Sequence, residues 1–386
     1  MSVKKYAKLA IARLGANNYR TLNLIELDRR RFLHNFNFFK RNNPGAEVIP
    51  VLKGNAYGHG LSEVAQILNE IDCDFIAVDG YFEAAKIRDI TKHQILVMGY
   101  ILPANSHLLD TKKCSFVVQD IAGLRALGSL RKPVRVHMEL NTGMNRMGLQ
   151  PEEVDSYLAE LQRHKNLQLE GVMSHLADAD NVIDDSFTKK QVSLFDKLVA
   201  KIQTAGFEPK YIHIGQTAGS VKVKSSYANA LRVGLGLYGI NPLNSEDSHH
   251  VELVGLRPAL ELKSTILKIL ELQKGNKVSY NGIFTAPKKM KIGVLPLGYY
   301  EGVPREMSNK GIVSYRGQEL PIVGRICMNH TMVDLKDSDA QVGSEVIIVS
   351  KDKTAANSIE QITKAHNLFS YSLLTGLSSN LRRQII

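Results

Sequence analysis

A chain of 386 residues exceeds what one compact core of ordinary size holds, so its length favours two domains. Its 44% hydrophobic and 23% charged residues suit a globular protein, and no apolar run reaches the roughly 18–20 residues that cross a bilayer. The net charge of +11 is spread thinly apart from short runs such as Arg29–Arg31 and Arg382–Arg383, which argues against a nucleic-acid surface and for one that attracts small anions.

The N-terminal stretch MSVKKYAKLAIARLG is broken by Lys8 and Arg13, which leaves no signal-peptide core. It has no acid before Glu26, as organelle-targeting segments do, but a short basic segment over 1–20 on a cytoplasmic enzyme is the preferred reading. From about 21 to 245 short apolar runs alternate with helical spacing. The runs are 47–52, 75–78, 95–99, 116–118, 134–140, 170–174, 211–214 and 230–234. Phe32, Phe36 and Phe39 fall at i, i+4, i+7 behind a cap at Asp28; Val154, Leu158 and Leu161 repeat the spacing after Pro151; Phe195, Leu198, Val199 and Ile202 precede Gly206. Eight strand candidates interleaved with helices predict a (β/α)8 barrel of the TIM type, with a doubly wound sheet as competitor. No GxGxxG follows the first strand, which removes the usual dinucleotide signature. The polar segment 244–250 reads as a linker, and strand-like runs at 259–269, 290–297, 311–315, 319–324, 331–335 and 345–350 predict a mainly β second domain over 246–386. Helical patterns return near 358–377.

Chemistry in such a barrel sits at the C-terminal ends of the strands. The first strand ends at Lys53, followed by GNAYGHG; the fifth ends at Glu139, followed by NTGMNRMG. The sixth runs into Ser174–His175, the seventh contains His213 and exits into GQTAGS, and the eighth carries Arg232 before VGLGLYG. Each alone has an ordinary explanation: a solvated lysine, a hydrogen-bonded histidine, an arginine paired in the core. Their convergence on one barrel mouth favours a site. His59, His175 and His213 lack a second ligand at helical i+3 or i+4 spacing, and His249–His250 lies in the linker, so no metal is expected. Cys73, Cys114 and Cys327 are too few and too far apart for a disulfide framework, and no GxSxG elbow is present.

These residues resemble the alanine racemase family. VLKGNAYGHG is similar to its cofactor-lysine motif, and NTGMNRMGL, MSHLADAD and LRVGLGLYGINP resemble further blocks of its barrel. VSYNGIFTA, LPLGYYEGVPR and GRICMNHTMVDL resemble three blocks of its β-domain, so seven collinear motifs span the chain. The resemblance implies interconversion of L- and D-alanine, a cell-wall precursor, with pyridoxal 5'-phosphate held on Lys53 as an aldimine. Lys53 and Tyr280 would be the two catalytic bases, Tyr280 reaching the site from the partner subunit of a homodimer with shared active sites. His175 would support Tyr280; Arg232, backed by His213, would face the pyridine nitrogen. Tyr57, Thr217 and the backbone of Gly234 and Leu235 would hold the phosphate. Arg146 and the backbone at Met328 would take the substrate carboxylate, with Tyr299 at the entrance.

Glu139 occupies the place of a family lysine, often carbamylated, that orients the arginine matched by Arg146, and it is expected to supply the carboxylate directly. Asn141 and Asn329 replace family aspartates, Gln216–Thr217 replaces Asn-Ser, and Gly54 replaces Ala. Ser379 stands where some relatives carry a pocket-closing tyrosine, which keeps serine or a broader range of substrates open. Three alternatives remain: a cofactor-binding protein without catalysis, which would need neither Tyr280 nor a β-domain; a decarboxylase of basic amino acids; and a sensor that retains cofactor.

Overall fold

The computed structural model describes residues 20–386, so the basic segment over 1–20 lies, but for Arg20, outside the described residues. Two compact units emerge. One comprises Leu27–Leu260, Lys351–Ser379 and Ile385–Ile386; the other holds the described chain up to Glu26, Glu261–Ser350 and Asn380–Gln384. The expected boundary at 245/246 therefore moves to Leu260/Glu261, because the polar segment is not an extended linker. Within it Asp247 is buried, with its carboxylate 2.5 Å from an equally buried Lys222 Nζ, and His250–Leu253 forms a 3-10 turn. Residues 351–379, expected in the β region, also join the barrel unit, whereas strand Asn23–Leu27 enters the sheet of the other unit.

All eight expected apolar runs of the first unit become parallel strands: β1 (Glu47–Pro50), β2 (Phe75–Val78), β3 (Gln94–Val97), β4 (Cys114–Val118), β5 (Val134–Glu139), β6 (Leu167–Met173), β7 (Tyr211–His213) and β8 (Ala230–Val233). Their order is β1-β8-β7-β6-β5-β4-β3-β2, and a parallel bridge between Val51 and Ala77 closes the ring. The strands read as near-continuous apolar runs because both faces are covered, as parallel sheets require. The helices form where the spacing indicated. Arg29–Asn42 buries Phe32, Phe36 and Phe39, and the Asp28 carboxylate accepts from Arg31 N at 3.3 Å. Val154–Arg163 buries Val154, Leu158 and Leu161, and Ser186–Thr204 buries Phe195, Leu198, Val199 and Ile202 before Gly206 turns left-handed at φ +86°.

The second unit is mainly β. A six-stranded sheet runs in the order Gln318–Pro321, Ile312–Tyr315, Glu345–Val349, Leu260–Thr265, Asn23–Leu27, Arg382–Ile385. A three-stranded antiparallel sheet joins Lys268–Leu272, Met290–Leu295 and Thr331–Asp334. Buried Val278, Ile292 and Val323 pack there against Leu270, Leu272, Phe284, Met290 and Met332. Among the described residues no helix is long and apolar enough to cross a membrane.

The Phe39 ring is fully buried, so Phe39→Ala should cost about 3–5 kcal/mol of barrel stability. Urea unfolding followed on a barrel probe checks this; a loss below about 1 kcal/mol would contradict the packing described.

Candidate active site

The chain leaves β1 through a turn of the wrong hand. Gly54, Asn55, Ala56 and Tyr57 have φ of 64°, 56°, 54° and 50°, a left-handed helical turn that L-residues avoid at about 1–2 kcal/mol each. Specific contacts hold it: Asn55 N donates to Glu83 Oε1 at 3.3 Å, and Asn55 Oδ1 accepts from Leu61 N at 3.0 Å. Gly58 closes the turn at φ +78°, where a Cβ would lie 1.9 Å from the Leu374 carbonyl oxygen; only glycine fits. Strain concentrated in one loop marks a place where geometry is imposed. Here it delivers Lys53 and Tyr57 to the barrel mouth.

Lys53 and Tyr57 line a cavity of about 390 Å³ together with Asp79, Gln119, Glu139, Arg146, His175, Thr217, Arg232, Gly234, Leu235 and Tyr371, all from the barrel unit. The Lys53 amine forms no hydrogen bond or ion pair with another described residue. Burial pushes its pKa down; the Asp79 carboxylate opposes this, and the charges of Arg146 and Arg232 add to it.

Arg232 is buried and only donates. Nη1 reaches His213 Nδ1 at 2.7 Å and the His213 carbonyl at 2.9 Å; Nη2 reaches the Ser174 carbonyl at 2.6 Å, His175 Nδ1 at 3.3 Å and the Ile214 carbonyl at 3.3 Å. Nε has no acceptor among the described residues. Burial lowers the Arg232 pKa to about 10, so the group remains a cation at neutral pH. The same geometry sets His175: its Nδ1 accepts, so a neutral ring carries its proton on Nε2. Burial and the neighbouring cations hold the His175 pKa at about 3, and burial keeps His213 neutral as well.

The same cavity holds an anion cradle. Gly234 and Leu235 are buried, and neither backbone N–H has a protein acceptor among the described residues. A Cβ on Gly234 would fall 2.4 Å from the Tyr57 hydroxyl oxygen, so glycine lets that hydroxyl approach. Thr217 Oγ1 accepts from Gly236 N at 3.1 Å. Burial raises the Tyr57 pKa, which keeps it a neutral donor. Its ring is held between Tyr238 at 5.0 Å and Tyr371 at 5.9 Å.

Glu139 is buried, and its pKa is raised by burial against the pull of the Arg232 and Arg146 charges. Glu139 and Arg146 line the same cavity, and among the described residues no ion pair joins them. The asparagines have local explanations. Asn141 Oδ1 accepts from Gly143 N and Asn145 N, as an aspartate would, and Nδ2 adds a bond to Asn145 Oδ1 at 2.8 Å. Asn329 Nδ2 donates to Glu301 Oε1 at 2.8 Å, a bond that an aspartate would replace with repulsion.

Tyr280, Tyr299 and Met328 belong to the other unit and are 64%, 45% and 54% exposed. Tyr299 N donates to the Cys327 carbonyl and Tyr300 N to the Met328 carbonyl, so the Tyr299 and Met328 segments lie side by side. Tyr280 begins a turn whose Ser279 Oγ donates to the Arg325 carbonyl at 2.6 Å. Asp79, Gln119 and Tyr371 were missed by the sequence reading. Asp79 directly follows the FIAV strand, and the rule that chemistry sits at strand ends would have found it.

A strand-end lysine with no hydrogen-bond or ion-pair partner among the described residues, sharing a cavity with a cationic donor and an anion cradle in a parallel barrel, defines a barrel enzyme of the kind that binds a phosphorylated aldehyde cofactor. The family model for the alanine racemase N-terminal domain matches residues 27–242, and that for the C-terminal domain matches 259–385. The alanine racemase of Aquifex aeolicus is 32% identical over 365 residues, 94% of this chain and 99% of that protein; the one from Geobacter sulfurreducens is 30% identical over 371 residues, 93% and 96%. The alanine racemase structure from Clostridium difficile 630 superposes with a TM-score of 0.88 at 28% identity, covering 96% of this chain and 97% of that one. The chain belongs to the alanine racemase family.

At pH 8 Lys53 should acylate several-fold faster than exposed Lys210, because its lowered pKa leaves more neutral amine, whereas Tyr211 and Asp74 raise that of Lys210. Asp79→Asn removes a charge that raises the Lys53 pKa and should increase the rate further. Peptide mapping after a timed pulse reads both; equal rates at the two lysines would contradict the electrostatics.

Proposed function

We propose that this protein is a pyridoxal 5'-phosphate-dependent racemase that interconverts L- and D-alanine and works as a homodimer with shared active sites. The observation that carries the reading is the Lys53 amine in one cavity with the buried N–H groups of Gly234 and Leu235, all three without a hydrogen-bond partner among the described residues. The residues present fit the cofactor: Lys53 for its aldehyde, Tyr57, Thr217, Gly234 and Leu235 for its phosphate, and the Arg232 Nε–H for its ring nitrogen. When bound, pyridoxal phosphate supplies the electron-withdrawing system that acidifies the α-hydrogen of an attached amino acid.

The chain's own groups then act as follows. Lys53, poised below the ordinary lysine pKa, exchanges a proton at its amine on one face of the substrate. The partner subunit's Tyr280 does the same at its hydroxyl on the other face, and the neutral His175 donates from Nε2 to that oxygen. Two bases on opposite faces invert the centre. Arg232 keeps its proton, so it holds the ring nitrogen by donation rather than protonating it. Arg146 and the Met328 backbone take the substrate carboxylate, Tyr299 lines the approach, and Glu139 biases Arg146 through its charge across the cavity. Dimerisation is supported by the exposure of Tyr280 beside Leu270, Leu272, Ile292 and Met332 on the β unit. Tyr371 lines the cavity although Ser379 replaces the tyrosine of some relatives, and this bulk supports the small side chain of alanine over serine.

Purified protein with cofactor, incubated with L-alanine and L-serine in D2O, should form D-alanine carrying α-deuterium faster than the serine product. Tyr280→Phe should lower kcat by about 10²–10⁴-fold, and Glu139→Gln should raise KM for alanine with little change in kcat. Absence of both exchange and D-isomer with either amino acid would overturn the proposal, and full activity in a diluted monomer would overturn the shared site.

A further inference from the structure

A line of buried polar side chains runs from Arg232 into the barrel interior. Arg232 Nη1 donates to His213 Nδ1 at 2.7 Å, His213 Nε2 lies 2.9 Å from His137 Nδ1, and His137 Nε2 lies 3.3 Å from Glu170 Oε2. Both imidazoles are fully buried. The same Glu170 oxygen accepts from Ser115 Oγ at 2.5 Å, and the other lies 3.5 Å from Arg135 Nε. No group of three or more His, Cys, Asp or Glu side chains among the described residues is disposed to hold a metal, so the histidines are not a ligand set.

The direction of this chain is forced. A guanidinium cannot accept, so His213 Nδ1 is bare and its proton sits on Nε2. His213 therefore donates to His137 Nδ1, which places the proton of His137 on Nε2, facing the Glu170 carboxylate. Reversing either ring would set two N–H groups or two lone pairs against each other in the dry interior, where a lost bond is costly.

The backbone is adapted to the same end. Between β5 and β6, Val136 pairs with Leu169 but His137 pairs with Gly171, so Glu170 is the extra residue of a β-bulge. Bulges re-aim side chains, and this one directs Glu170 to His137. Gly171 clears the space: a Cβ there would lie 2.4 Å from His137 Nδ1. Tyr211 stacks on the imidazole at 6.0 Å and Phe75 meets it edge-on at 5.7 Å, which fixes the ring plane.

We infer that His137 and Glu170 are positioning residues for Arg232, acting through His213 to commit the Nη1 hydrogens inward and leave the Nε–H for the ligand in the cavity. The ligand's identity rests on the function proposed above; the direction of the chain does not.

Full-length protein labelled with 15N-histidine, with and without bound cofactor, tests the direction by long-range 1H–15N correlation. Both His137 and His213 should be Nε2–H tautomers. His137→Leu should move the His213 resonances and lower kcat ten- to a hundredfold with KM for alanine changed less than threefold. His137→Asn, which keeps an acceptor oxygen for His213, should restore most of the rate. An Nδ1–H tautomer at either wild-type ring would overturn the inference, as would wild-type kcat and an unmoved His213 signal in His137→Leu. Should the wild-type protein racemise nothing, the functional reading fails, while the tautomer measurement still decides the direction of the chain.

Discussion

A buried guanidinium that can only donate organises this site. Arg232 sits on β8 with its Nη hydrogens directed to three carbonyls and two imidazoles, so each neighbour has to present a lone pair. From that single condition follow the tautomer of His175, which faces the cavity, and that of His213, which faces the interior. It also explains why a fixed cation is tolerated there: both Nη groups have acceptors, and Glu139 supplies nearby negative charge. A lysine at 232 could not reproduce the forked geometry.

The second constraint is the left-handed turn after β1. Three non-glycine residues in a disfavoured region, Asn55, Ala56 and Tyr57, cost several kcal/mol in sum, and a loop in water would relax. It persists because Asn55 bonds at both ends, Gly58 admits the Leu374 carbonyl, and Tyr57 is wedged between two aromatic rings. The result puts an amine and a phenol at one mouth on backbone that cannot drift. Preorganisation of this kind lowers the cost of binding an anionic ligand, since the donors need not be ordered when it arrives.

Much of this was legible in the sequence, for identifiable reasons. The eight barrel strands are buried on both faces and so read as short apolar runs; the strand-end rule then selected Lys53, Glu139, His175, His213 and Arg232, which share one cavity or stand directly behind it. The domain boundary was less legible, because the polar character of 244–250 hides the buried pair of Asp247 with Lys222. Tyr371 was hidden for a different reason: it lies on a helix more than 130 residues beyond the last barrel strand, and no local pattern ties it to the mouth. Glu170 and His137 sit mid-strand, where a polar residue carries no signal until the bulge and the missing Cβ of Gly171 are seen.

The account rests on Lys53 being the residue that holds pyridoxal phosphate. The most direct measurement is borohydride reduction of the cofactor-loaded protein, followed by proteolysis and mass mapping of the modified peptide. The account predicts one stoichiometric pyridoxyl adduct, on the lysine of the segment VLKGNAYGHG. An adduct elsewhere, or none in a folded protein saturated with cofactor, would contradict it.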